Sequence, residues 1–394
     1  MPEIDKIIYL DNAATTFPKP TCVYQAADEF YRRYGGNAGR GANPLARKCS
    51  ELIDDTRAAL ADWLGAPSPQ QVVLVPSATI ALNLAILGTK MRSGDVVYVT
   101  PFEHNSVLRP LEHLRQSRGI VVQEMPFDRQ TMACQLEQLN AQFQMDPPAL
   151  VCITQASNTC GLMPPITKIA RLAKEINPDA TVIVDGAQVA GLYPLALDGG
   201  LIDTYIFSGH KSLHGPYGVA GLVLASEWRP ALSLFGGTGT VSESVAMPDV
   251  LPSAYESGSH NVWAIAGLKA ALEWLQETGR EAIVTHTQDL AEKLRTELEK
   301  TTSIQVYAPP KKEPWCGILA FTVEDVRPQA IEAALGAKGI VIRAGLHCAP
   351  WAHRWLGTME GSGAVRVSVG WFNRTPNVKL FLAQIRTMIL GGVM

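Results

Sequence analysis

The stretch Asp203-Thr-Tyr-Ile-Phe-Ser-Gly-His-Lys-Ser-Leu-His-Gly-Pro216 runs from an apolar, β-favouring segment straight into Ser208, Gly209, His210 and Lys211. Gly215, Pro216 and Gly218 then break any helix that would follow. It reads as a strand that ends by delivering a polar cluster, with a lysine at its tip, outside the core. A solvated lysine in a surface turn is the plain alternative, so the surrounding chain has to decide.

Working outward, the sequence alternates between the two periods. Helical patterns at Val23–Tyr34 and Leu45–Trp63 come first. Strand Val72–Val75, helix Thr79–Leu87, strand Val96–Val99, helix Val107–Gln116 and strand Ile120–Glu124 follow. A weak helix near Gln135–Phe143, strand Leu150–Thr154, helix Ile166–Ile176 and strand Thr181–Val184 lead to strands Tyr205–Phe207 and Val219–Leu224. Repeated β-α-β units with continuous apolar strands predict an α/β fold whose sheet is mainly parallel and covered on both faces. In such sheets ligands bind beyond the carboxyl ends of the strands, so the polar residues just after each strand are the ones to collect.

Residues 227–261 form a long segment rich in Gly, Ser and Pro, and loops of that length are functional or cross between domains. After it come helices Val262–Gln276 and Ala282–Glu299, strands Ile304–Tyr307 and Gly317–Val323, and helix Pro328–Leu335. Strands Ile340–Arg343 and Val365–Val369 precede a last helix, capped by Thr375 with Pro376 in its first turn. The expected division is a large domain over residues 16–255 and a smaller α+β domain formed by 1–15 and 256–394.

Composition agrees with a chain of that size. At 394 residues, with 47% hydrophobic and 18% charged residues, it has a large interior and is too long for one compact core. A net charge of −3 offers no general attraction to nucleic acid or an anionic membrane. The N-terminus lacks the basic flank and apolar run of a signal peptide, and no stretch reads as a membrane span. Seven scattered cysteines point to a reduced cytoplasm and not to a disulfide framework.

The residues that follow the strands are chemically coherent. Pro76, Ser77, Ala78 and Thr79 open a helix whose free N–H groups suit a phosphate, although a plain cap explains them too. Glu103 and His104 stand at another helix start, and Ser157, Asn158 and Gly161 follow a third strand. Asp185 ends Val182-Ile-Val-Asp185-Gly-Ala-Gln188 at the mouth of a low-dielectric core, where a carboxylate needs a cationic partner. Lys211 comes after the next strand. A lysine, a carboxylate, a histidine, an asparagine and a phosphate cradle along one sheet edge suit pyridoxal phosphate. The lysine forms the Schiff base, and the aspartate keeps the pyridine nitrogen protonated so that the ring acts as an electron sink. His210 and His214 stand four apart, but Gly209 and Gly215 disfavour a helix and no third ligand is apparent, so no metal is expected.

Several motifs resemble one family. Tyr9-Leu-Asp-Asn-Ala-Ala-Thr-Thr16, Glu103-His104, Ser157-Asn158, Val184-Asp-Gly-Ala-Gln188 and Ser208-Gly-His-Lys211 are similar to those of the class V aminotransferase family of fold-type I pyridoxal-phosphate enzymes. Arg343-Ala-Gly-Leu-His-Cys-Ala349 resembles the signature of its cysteine desulfurase and selenocysteine lyase group with a short active-site loop. The motifs occur in family order and cover essentially the whole chain.

The resemblance implies a large domain with a mainly parallel seven-stranded sheet and a smaller C-terminal domain carrying the reactive cysteine. It implies that Lys211 holds the cofactor and moves protons, that Asp185 pairs with the ring nitrogen, and that His104 stacks on the ring and assists proton transfer as a catalytic residue. Ala78, Thr79, Ser208 and His210 would hold the phosphate. Gln188 and Asn158 would lie near the ring oxygen or the substrate carboxylate. Arg366 and Arg343 match residues that take that carboxylate, for which a guanidinium fork is well shaped. Ser259 matches a position that reaches the phosphate of the other subunit, so a homodimer is implied.

The resemblance implies that Cys348 is the nucleophile that takes sulfur from L-cysteine as a persulfide, releasing L-alanine and holding the sulfur for a sulfur-acceptor protein. A free thiol is only about 3% ionised at pH 7, so this role needs positive charge nearby; His347 is next to it in sequence and Arg343 stands five residues before it. Leu346 stands where close relatives often have a second histidine. Ile80 and Ala81 stand where many have an acid and a glycine. Selenocysteine lyase, cystine C–S lyase and class V aminotransferase are the alternatives that keep the cofactor; a non-catalytic scaffold with this fold is the alternative that does not.

Overall fold

The computed structural model describes residues 7–38, 43–197, 199–241 and 243–390, so the N-terminal segment 1–6 lies outside the described residues. Strand β1 (Ile8–Tyr9) and helices α1 (Thr21–Tyr34) and α2 (Pro44–Leu64) come first. The alternating region holds β2 (Val72–Val75), α3 (Ala78–Gly88), β3 (Val96–Val99), α4 (Asn105–Arg118) and β4 (Val121–Glu124). It continues through α5 (Leu136–Met145), β5 (Pro148–Thr154), α6 (Ile166–Ile176), β6 (Thr181–Asp185), β7 (Thr204–Ser208) and β8 (Ala220–Leu224). The remainder is α7 (Val262–Thr278), α8 (Arg280–Glu299), β9 (Ile304–Tyr307), β10 (Ile318–Val323) and α9 (Pro328–Gly336). Then come β11 (Ile340–Val341), β12 (Arg343–Gly345), α10 (Pro350–Leu356), β13 (Ala364–Ser368) and α11 (Thr375–Leu390).

Seven strands form one sheet in the order β2-β8-β7-β6-β5-β3-β4, parallel except for β8, which runs against both its neighbours. The mainly parallel seven-stranded sheet expected from the sequence is therefore present. Alternate residues of each strand enter different cores. Tyr98, Val151, Val182 and Phe207 face α2, α5 and α6, whereas Val97, Cys152, Ile183 and Ile206 face α3 and α4. That two-sided burial is why the strands read as unbroken apolar runs. A four-stranded antiparallel sheet, β12-β13-β10-β9, packs against α8, α9 and α11 around a third core.

Two expectations change. The expected small domain includes helix α7, yet this helix buries Val262, Ile265, Leu268 and Leu272 in the core of the large sheet, beside α1 and α2. Being apolar around most of its circumference, it has to lie between layers. Gly267 lets it approach the turn after Lys211, since a Cβ there would stand 2.6 Å from Pro216 Cγ. The expected strand Ile340–Arg343 is two strands: Ile340 and Val341 pair parallel with β1, whereas Arg343 pairs antiparallel with Arg366. Ile342, buried between them, marks the change of partner. Among the described residues, no helix is long and apolar enough to cross a membrane.

Candidate active site

Strands β2, β3, β5, β6 and β7 all end at one edge, and a cavity of about 220 Å³ opens there. Every expected site residue except Ser259 lines it. The large sheet and its loops supply Ala78, Thr79, His104, Asn158, Asp185, Gln188, Ser208, His210 and Lys211. Arg343 and Arg366, on the antiparallel sheet, and Cys348, in the turn after β12, complete the wall.

Burial pulls the Lys211 amine down to about 8. Asp185 works against that shift, and Arg366 adds to it. Asp185, the buried last residue of β6, accepts the Ala187 N–H at 3.0 Å. His104 is the N-cap of α4, and its Nδ1 accepts the Ser106 N–H at 3.0 Å. Burial and the Lys211 charge lower its pKa to about 4, so the ring is neutral at pH 7 and its proton sits on Nε2. Ser106 Oγ lies 2.8 Å from Thr79 Oγ1, which joins the His104 cap to the start of α3. Ser77 is spent as a cap, its Oγ accepting the Ile80 N–H at 3.3 Å. Opposite, the His210 ring stacks on Tyr217 at 4.3 Å, and burial keeps it neutral. Lys19 Nζ and Thr15 Oγ1 both donate to the His210 carbonyl, at 2.7 and 2.8 Å.

Arg366 is almost entirely out of water. Its Nη2 donates to Asp11 Oδ1 at 2.6 Å and its Nη1 to the Asn158 carbonyl at 2.9 Å, leaving buried Nε without a partner. Arg343, about half exposed, reaches the other oxygen of the same aspartate at 3.4 Å. Asp11 thus holds two guanidiniums in one wall, which keeps buried Arg366 from being an uncompensated charge.

Cys348 is exposed, and the backbone that presents it is strained. His347 and Cys348 both adopt left-handed conformations, with φ of 49° and 57°. Each costs on the order of 1–2 kcal/mol for a side-chain-bearing residue. Three hydrogen bonds offset that cost: Asn158 Nδ2 to the His347 carbonyl at 2.6 Å, the Asn105 N–H to the Cys348 carbonyl at 2.7 Å, and the Ala349 N–H to the Leu346 carbonyl at 2.8 Å. The His347 ring does not provide the expected positive charge. Burial, with Arg366 next in effect, pushes its pKa down to about 2, so it is neutral. The cations that share the cavity with the thiol are Lys211, Arg343 and Arg366.

Other expected residues lie elsewhere. Ser259 is exposed and borders a different cavity with Glu256 and His260. Ala81 is buried and Ile80 packs on the core beneath the sheet, so neither lines the active-site cavity, and Leu346 is exposed beside the thiol turn. Asp11, Ser106, Glu103 and His353 carry no role that the sequence alone predicts. Asp11 lay within a quoted motif, and Ser106 follows the His104 cap at capping distance. Nothing in the sequence separated buried Glu103 from an ordinary helix-start carboxylate. Among the described residues, no group of three or more His, Cys, Asp or Glu could hold a metal ion.

Comparison with known proteins identifies the family of the chain. Residues 8–381 match the family model described as Aminotransferase class-V. A probable cysteine desulfurase of Halalkalibacterium halodurans is 29% identical over 89% of this chain and 86% of its own. One from Xylella fastidiosa is 30% identical over 96% and 90%. Among solved structures, the cysteine desulfurase of Thermococcus onnurineus superposes with a TM-score of 0.90 at 27% identity, covering 98% of this chain and 96% of that one. A cysteine desulfurase of Escherichia coli gives 0.84 at 27% identity, covering 98% and 95%. The chain belongs to the class-V aminotransferase family.

Proposed function

We propose that this protein is a pyridoxal-phosphate-dependent cysteine desulfurase that converts L-cysteine to L-alanine and leaves the sulfur as a persulfide on Cys348. The observation that carries the reading is one cavity holding Lys211, Asp185 and His104 from one sheet and Cys348 with two arginines from the other. Its residues fit the cofactor: Asn158 Oδ1 and His210 Nδ1 are buried polar atoms without a partner, as a site built for a polar ligand leaves them. Lys211 would hold the aldehyde carbon, Asp185 the ring nitrogen, His104 the ring face, and Ala78, Thr79, Ser208 and His210 the phosphate. Pyridoxal phosphate, when bound, supplies an electron sink conjugated to the substrate Cα.

The chain's own residues do the rest. Arg366 and Arg343 take the substrate carboxylate, with the unpartnered Nε of Arg366 available to it. Lys211, with its pKa near 8, is on the order of a tenth neutral at pH 7 and removes the Cα proton. His104, carrying its proton on Nε2, is a hydrogen-bond donor toward the reacting group. The Cys348 thiolate attacks the substrate sulfur. The new S–S bond forms as the Cβ–S bond breaks, the electron pair stays with carbon, and protonation completes L-alanine.

A homodimer is part of the reading. Segment 227–261 exposes Leu234, Phe235, Val245 and Val250, and Ser259 lies exposed at its end, as a surface covered by a second subunit requires. The substrate, a sulfur-acceptor protein and a cytoplasmic setting belong to the same proposal. Cys348→Ala tests it. Alanine formation from L-cysteine under reductant should fall at least 100-fold while the yellow cofactor absorbance remains. Wild-type rates in that variant would remove the persulfide role, and pyruvate with ammonia, or a keto acid, would assign a lyase or aminotransferase.

A further inference from the structure

The mechanism above accounts for Cys348 but not for what holds it. The left-handed turn at His347 and Cys348 is strained, and three hydrogen bonds, one from the Asn158 side chain and two from backbone N–H groups, hold the carbonyls of residues 346–348 but neither side chain of the turn. The His347 ring is buried under that turn. Its Nδ1 lies 3.0 Å from Nε2 of His353, and its Nε2 lies 3.5 Å from the Arg343 carbonyl. His353 stands on α10, wholly out of water, and its Nδ1 lies 2.7 Å from Thr358 Oγ1. Thr358 is also buried and follows the glycine that ends α10.

Hydrogen-bond donors and acceptors restrict this chain of groups. Two neutral imidazoles 3.0 Å apart can bond only if one nitrogen carries a proton and the other does not. If His347 Nε2–H points at the Arg343 carbonyl, its Nδ1 must accept from His353 Nε2–H, and His353 Nδ1 must then accept from the Thr358 hydroxyl. With the Arg343 bond in place, one tautomer of each ring satisfies the ring contacts, and the Thr358 hydroxyl, also 3.4 Å from the His353 carbonyl, gives its proton to the closer Nδ1. Burial holds both rings neutral, which that pattern requires. The chain ends at buried Thr358, so it conducts no proton to solvent. It acts as a strut from helix α10 to the thiol turn.

We propose that His353 is a positioning residue for Cys348: through the His347 ring and Thr358 it locks the strained turn that aims the thiol into the cavity. The proposal rests on the reading of Cys348 as nucleophile, but its structural half stands independently of that reading. No metal, charge change or added reactant is involved.

Two substitutions of similar size separate the strut from mere packing. His353→Gln places an amide near the former Nε2 and keeps a donor for His347, whereas His353→Asn reaches only toward Thr358. In the holoenzyme, amide hydrogen exchange of the peptide spanning residues 344–352 should quicken at least tenfold in His353→Asn and stay within about twofold of wild type in His353→Gln. The turnover number for alanine formation should fall at least tenfold in the Asn variant with KM for L-cysteine within twofold, and the Gln variant should restore it. Thr358→Val, which removes only the far anchor, should move exchange in the same direction and serves if His353→Asn does not fold. Equal exchange in the Asn and Gln variants, or faster exchange with an unchanged turnover number, overturns the proposal. Wild-type protein that makes no alanine, yet shows the predicted exchange pattern, instead faults the desulfurase reading and leaves the strut standing.

Discussion

Glu103 shows how much a single residue's surroundings decide. It has no exposed surface, its Oε1 accepts from Thr100 Oγ1 and from the Thr154 N–H, both at 2.7 Å, and its Oε2 has no partner. Burial pushes its pKa up to about 8, further than the hydrogen bonds pull it down. The carboxyl is therefore mostly protonated at pH 7 and ties the end of β3 to the end of β5 as a neutral group. The folded state holds a proton that the unfolded chain releases near pH 4.5, so this group's contribution to stability is full below that pH. It declines as pH rises and is lost once pH passes the folded pKa of about 8. Glu103→Gln, neutral at every pH, should match wild type to within about 1 kcal/mol at pH 4.5, below which the contribution is full, and become the more stable of the two at pH 9. Denaturant unfolding at the two pH values checks this, and a wild type that gains on the variant as pH rises would contradict it. Histidine works in the same way here: His104, His347 and His353 are all held neutral by burial, a state that no sequence pattern announces.

At the scale of elements, the large sheet was legible because strands buried on both faces leave continuous β-branched runs, as Val182-Ile-Val shows. The residues after those runs were legible as a site because parallel strands share one carboxyl edge. Short elements set by partners were not. Strand β1 has two residues and exists only through its pairing with β11, and the break at Ile342 is a change of neighbour that leaves no mark in hydropathy. Helix α10 carried its signals, Pro350 in the first turn and Gly357 at φ 75°, but its seven residues are too few for a period to stand out. Two glycines near the thiol turn make a test of this scale. A Cβ at Gly357 meets nothing within 4 Å, so Gly357→Ala should cost only its left-handed backbone, about 1 kcal/mol. A Cβ at Gly363, at φ 96°, would stand 2.1 Å from the Gly345 carbonyl oxygen on β12. Gly363→Ala must push β12 off β13 and displace Arg343, so it should cost about 3 kcal/mol or more and raise KM for L-cysteine. Equal losses of stability in the two variants would contradict the close packing of β12.

At the scale of the whole molecule, the site exists only because two sheets meet. Asp185 ends β6 and Lys211 lies in the turn after β7 of the parallel sheet, whereas Arg343, Arg366 and Cys348 belong to the antiparallel one and the turn beside it. The contacts between these halves are specific: Asn158 on one side bonds the His347 carbonyl on the other, and Arg366 returns a bond to the Asn158 carbonyl. In the proposed function the first set would hold the cofactor and the second would select the reaction. Sequence spacing could not join them, since 137 residues separate Lys211 from Cys348. The most direct measurement is peptide mass analysis of the holoenzyme after one equivalent of L-cysteine without reductant. One added sulfur atom on the peptide containing Cys348, with an equal amount of L-alanine, is the predicted result; unmodified Cys348 alongside consumed cysteine would contradict it.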